Sequence, residues 1–134
     1  MRDCGVRVLA WDFQDIDGLV LEIDAGAVIW VNGEHAQTRQ RFTLAHELGH
    51  HLLRHADTFR LDLGGDLAPN ATGGHPNYDW RAERSANEFA ASLLMPASMV
   101  RRAAATVTDV VALASQFKVS PAAMGFRLTT LNIN

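Results

Sequence analysis

Cysteine occurs once in this chain, at Cys4, and tyrosine once, at Tyr78. A lone thiol excludes a disulfide within the chain and suits a reducing compartment, where free thiols persist. No apolar run approaches the roughly 20 residues that cross a bilayer, and none of signal-peptide length precedes Asp12. A soluble, cytoplasmic protein with no membrane partner is therefore expected. Neither sign of charge dominates: 12 Lys and Arg stand against 15 Asp and Glu, for a formal net charge of −3. That balance excludes a whole-surface binder of nucleic acid and leaves only local patches such as Arg101-Arg102. Repeats and low-complexity segments are absent as well. What is present, 134 residues with 48% apolar and 20% charged, is the composition of one globular domain.

The apolar pattern changes period along the chain. Residues 6–13 (VRVLAWDF) are rich in branched and aromatic side chains and read as a strand. Leu19–Ile23 and Ala27–Val31, separated by Asp24-Ala25-Gly26, read as a hairpin closed by Asn32-Gly33. This N-terminal strand region occupies residues 1–35. From about Gln37 to Arg54, Leu44, Leu48 and Leu52 recur at helical spacing, so the segment 36–55 is expected to be a central helix. Residues 56–79, with Gly64-Gly65, Gly73-Gly74, Pro69 and Pro76, read as one long loop. A second long helix is expected within 80–95, ended by Pro96. The segment 106–134 reads as a helical pair, with Ser120 as N-cap and Pro121 as first residue of its second helix. Strands first and helices after predict an α+β domain: a small antiparallel sheet, a central helix, a second long helix and two C-terminal helices.

The central helix carries the chemistry. FTLAHELGHH (residues 42–51) places three histidines and a glutamate within six positions. Residues i and i+4 of a helix project from one side, so His46 and His50 can offer both imidazoles to one metal ion. Glu47 then stands beside the metal, placed to take a proton from a metal-bound water. This is the mechanical content of H-E-x-x-H. The plain alternative is two histidines on a polar helix edge. His51 points well away from the His46–His50 side.

A catalytic zinc takes a third protein ligand and keeps a fourth position for water. Downstream candidates are His55, Asp57, Asp62, Asp66, His75, Asp79, Glu83 and Glu88. Helical positions hold a ligand more rigidly than loops do. Glu83 continues the apolar series Ala86, Phe89, Ala90 and Leu93 backwards, whereas Glu88 falls off that side. A glutamate on a buried stripe is costly unless paired or metal-bound. Glu83 is the better ligand, with Asn87 one turn on as its supporting neighbour.

At these two motifs, FTLAHELGHHLL and ERSANEFAASLLMP (residues 42–53 and 83–96), the chain resembles the ImmA/IrrE-type metallopeptidases. Their pattern is an H-E-L-G-H helix followed by E-x-x-A-N-x-F-A-x-x-L-L-M-P. The resemblance follows the family's layout across residues 28–132 and implies a minimal, gluzincin-like zincin. It implies one catalytic Zn2+ on His46, His50 and Glu83, with Glu47 as base. It also implies limited proteolysis of a DNA-binding transcriptional repressor, a helix-turn-helix protein encoded nearby. The segment ahead of the active-site helix is shorter here than in the family's usual members, which bears on substrate choice.

Peptide hydrolysis also needs a donor for the tetrahedral oxyanion. Tyr78, His75 and His55 are the loop candidates, Tyr78 leading. The C-terminal stretch VVALASQFKVSPAAMGFRLTTL has a helix-turn-helix outline, but its second helix offers Arg127 as its sole cation. Direct nucleic-acid binding is not expected from it. Besides the peptidase, a second reading stands: a zinc-containing interaction module, an anti-repressor that binds its regulator without cutting it.

Overall fold

The computed structural model describes residues 5–12, 16–23, 26–53, 59–62 and 80–134, with the backbone alone at 22–23 and 59–62. These residues form four strands and five helices: β1 (Val6–Trp11), β2 (Gly18–Ile23), β3 (Gly26–Asn32), α1 (Gln37–Leu52), β4 (Phe59–Asp62), α2 (Trp80–Leu94), α3 (Ala97–Ala104), α4 (Val110–Phe117) and α5 (Pro121–Thr130). The α+β plan holds. Three of its details differ from the sequence reading.

First, the sheet is mixed rather than antiparallel, with strand order β1-β3-β2-β4. The β2–β3 hairpin is antiparallel, pairing Leu19 with Trp30 and Leu21 with Val28. β3 inserts between β1 and β2 and runs parallel to β1, Val8 opposite Ile29. β2 runs back against β1 two strands away, so the tight hairpin returns β3 in the direction of β1. Strand direction of this kind depends on which edge β1 docks against, and no local pattern encodes that.

Second, the stretch read as one long loop contains β4, antiparallel to β2 with Leu19 opposite Leu61. Its four residues, FRLD, do alternate apolar and charged. So short an alternation between Gly- and Asp-rich flanks is a weak signal.

Third, the expected C-terminal pair, α4 and α5, is preceded by a further helix, α3, that the sequence reading did not assign. Pro96 ends α2 and also stands at the N-cap of α3. A proline tolerated at a helix start was read only as a stop. Asp109 and Ser120 cap α4 and α5, accepting hydrogen bonds from the amides of Ala112 and Ala123.

Two cores result. In the first, Val20, Ala27, Ile29 and Val31 project from one face of the sheet at period two, and Leu44 and Leu48 of α1 cover them. Leu52, the last of the expected leucine stripe, is 49% exposed and is not part of this core. In the second, Met95, Val100, Leu113, Ala114, Val119 and Met124 join the end of α2 to α3, α4 and α5. Arg41 of α1 ties the two together: its guanidinium donates to the carbonyls of Phe117 and Lys118 at the end of α4. Those carbonyls are the unsatisfied, negative end of the helix, where a cation belongs. Arg127 does the same for α2, its Nε donating to the Met95 carbonyl at 2.9 Å. The lone cation of α5 is thus turned inward, which removes what basic character a recognition helix would have.

Candidate metal centre

α1 and α2 meet along small side chains. Ala45 and Gly49 of α1 are buried, as are Ala82, Ala86 and Ala90 of α2. A Cβ added at Gly49 would lie 3.0 Å from Phe89 Cδ1 and 3.3 Å from both the Cα and the carbonyl oxygen of Ala86. Only a glycine lets the α2 backbone approach this closely without a shift. The alanines at i+4 spacing supply the matching face, a signal legible in the sequence once the two helices are known to be neighbours. Leu93, grouped with the buried series in the sequence, is 50% exposed, and Ala82 takes its place on the contact face.

This approach brings the three candidate ligands together. The ligand atoms of His46, His50 and Glu83 all lie within 4.8 Å of one another. His46 Nε2 is 2.9 Å from Glu83 Oε2 and 3.0 Å from His50 Nε2, and His50 Nε2 is 3.0 Å from Glu83 Oε1. The two imidazoles stand edge-on at 86° with centroids 4.6 Å apart. Asn87 reaches the same place: its Oδ1 lies 2.7 Å from His46 Nδ1. Glu88 is exposed and outside the group, and His51 is not among its members. Tyr78, His55, His75, Asp57, Asp66 and Asp79 lie outside the described residues.

The chemistry of this donor set fits a cation. With Asn87 Oδ1 accepting from His46 Nδ1–H, the lone pair of that imidazole is on Nε2. It points at a carboxylate oxygen 2.9 Å away, so two acceptors face each other. A second imidazole and the other oxygen of Glu83 complete the ring of acceptors. A cation at the centre would satisfy all of these acceptors at once, as protonation of the imidazoles beside Glu83 would in its absence. Tetrahedral zinc ligands about 2.1 Å from the metal stand roughly 3.4 Å apart, somewhat wider than the 2.9–3.0 Å between these donors. The hydrogen bond from His46 to Asn87 is the outer contact that fixes a ligating histidine's tautomer.

Glu47 sits in the same helix turn and is 0% exposed. The start of β2 crowds it. A Cβ on Gly18 would lie 2.6 Å from Thr43 Cγ2 and 3.7 Å from Glu47 Cγ. Residues 39, 43 and 47 form one stripe of α1, and the Arg39 guanidinium pairs with the carboxylate of Asp17, next to Gly18. The entry of β2 is thereby pinned along the side of α1 that carries Glu47. The sequence reading missed Gly18, Thr43 and Asp17, because their meaning depends on β2 lying against α1.

Comparison with known families places the chain. The model of the IrrE N-terminal-like domain, a peptidase family, matches residues 1–129. The chain belongs to this family. Its members are metal-dependent peptidases, so the IrrE-type domain described here has a protein as its general class of substrate. No curated protein matches the chain. Among the described residues, no helix of this IrrE-type domain is long and apolar enough to cross a membrane.

Proposed function

We propose that the protein is a cytoplasmic zinc endopeptidase that cuts a DNA-binding transcriptional repressor in limited fashion. The observation that carries the reading is the convergence of His46, His50 and Glu83 beside the buried Glu47. Two imidazole nitrogens and a carboxylate are the ligand types that zinc favours over manganese or magnesium. The lone cysteine supports a cytoplasmic setting. The repressor, a helix-turn-helix protein encoded nearby, is the substrate implied by the resemblance of the two motifs.

When bound, the metal supplies Lewis acidity, polarising a peptide carbonyl and making water acidic. The chain's own residues do the rest. His46, His50 and Glu83 hold the ion, and Asn87 keeps the His46 proton on Nδ1, leaving Nε2 free. Glu47, excluded from solvent, takes the proton of the attacking water and passes it to the departing amine. The start of β2, packed beside it, helps keep bulk water from competing with it. Tyr78 is proposed as a hydrogen-bond donor to the tetrahedral oxyanion.

The test is to incubate zinc-loaded protein with the product of the neighbouring repressor gene and to read masses. Two fragments are expected. Glu47→Gln should retain about one zinc per chain and produce none. Cleavage that survives this substitution would sink the mechanism. Repressor released from DNA at unchanged mass would instead establish the anti-repressor reading.

A further inference from the structure

Trp80 and Arg84 have no part in the scheme above. Passing round α2 from its buried alanine face, Glu83 comes first, then Asn87, then Trp80, then Arg84. The pair therefore adjoins the stripe that carries a metal ligand and its supporting amide. Trp80 is 41% exposed, and the Arg84 guanidinium carbon lies 5.6 Å from the centroid of its ring. Among the described residues no carboxylate forms an ion pair with Arg84, not even Glu88 one turn further on. Of the three donors, the one carried on the same helix as this pair is also the most accessible. The Glu83 side chain is 18% exposed, against 6% for His46 and 1% for His50.

A guanidinium laid over an indole keeps its N–H edge available for a carboxylate, and the ring offers flat apolar surface beside it. As a helix-surface pair alone, Trp80 and Arg84 would add little to stability. Their place beside the ligand stripe gives them a use. We infer that they form a subsite that selects an acidic side chain near the scissile bond of the substrate. The inference rests on the peptidase reading and adds the chemical class of residue that the peptidase prefers.

The experiment reads binding separately from turnover. Decapeptides of alanine and leucine carry one Asp walked through the inner positions, each with an Asn and a Lys counterpart. They are titrated against zinc-loaded Glu47→Gln protein. At one or two positions the Asp peptide should bind about tenfold more tightly than its Asn counterpart, as a charge-assisted bond provides. Arg84→Gln should abolish that ratio, and Arg84→Glu should reverse it in favour of Lys, with zinc content unchanged. The inference is overturned by the absence of any Asp preference, by a preference that persists in Arg84→Glu, or by no binding at millimolar peptide. Cleavage by the parent protein is scored separately. A protein that discriminates Asp through Arg84 yet never cuts would refute the peptidase reading and leave the subsite standing.

Discussion

At the scale of single residues, the centre depends on which atoms carry protons. Asn87 Oδ1 lies 2.7 Å from His46 Nδ1; in the proposed scheme it holds the proton there, so removing it would free the ring to rotate and change tautomer. Asn87→Ala is expected to weaken zinc binding by about 10- to 100-fold, the usual cost of losing such an outer partner, while the fold survives because Asn87 is exposed. Competition against a zinc-sensitive dye measures this directly. Tyr78→Phe is expected to lower kcat about 100-fold with zinc affinity unchanged, as loss of an oxyanion donor does. A drop in zinc content instead would assign the tyrosine a different role.

Acid should act on the same atoms. Ligation requires neutral imidazoles, and free histidine takes up a proton near pH ~6.5. Below that value the metal-free and unfolded states bind more protons than the metal-bound state does. The stability contributed by the metal is therefore present above this range and lost as pH falls through it. Zinc retained after desalting should fall across that window, and the melting temperature of the loaded protein should fall with it. Parallel melting curves at pH 7.5 and 5.5, with and without metal, check the sign.

At the scale of elements, the decisive contact is between α1 and α2. The backbone of Ala86 lies 3.3 Å from where a Gly49 Cβ would be. Gly49→Ala must push α2 outward by a few tenths of an ångström, and backbone atoms cannot swing aside as a side chain can. Overpacking of this kind costs about 1–3 kcal/mol. Because Glu83 rides on α2 and both histidines ride on α1, the shift also widens the donor set. Gly49→Ala is thus expected to weaken zinc binding by at least tenfold in protein that still folds. Calorimetry of zinc binding beside a thermal melt separates the two losses. By contrast Gly125, whose added Cβ would meet nothing within 4 Å, should accept alanine with a small gain in helix stability.

At the scale of the whole molecule, two cores share one centre. The sheet core holds α1 through Leu44 and Leu48, and the C-terminal core holds the end of α2 through Met95. His46 and His50 are thus carried on a helix packed on one core and Glu83 on a helix that enters the other, and a bound ion would join them. Chelation should lower the melting temperature of the whole chain, by an amount that follows free zinc concentration. Scanning calorimetry over a series of buffered zinc concentrations checks this. A melting curve independent of zinc would mean that the centre holds no ion.

The sequence alone determined what local chemistry can encode. Helical spacing placed His46, Glu47 and His50 in one turn and a half, composition placed the chain among single globular domains, and Ser120 and Pro121 marked the start of α5. That Glu83 and Asn87 would lie beside His46 was legible because a glutamate on a buried helix stripe needs a partner. Tertiary structure alone decided the rest. It made the sheet mixed, since docking β1 on β3 is a choice between edges that look alike in the chain. It gave α2 its approach to α1, because the role of Gly49 exists only opposite Ala86. It turned Arg41 and Arg127 into caps for helices distant in sequence. Spacing along a helix fixes which side chains share a face, but distance between two helices is set by the smallest atoms where they touch. The metal centre needs both.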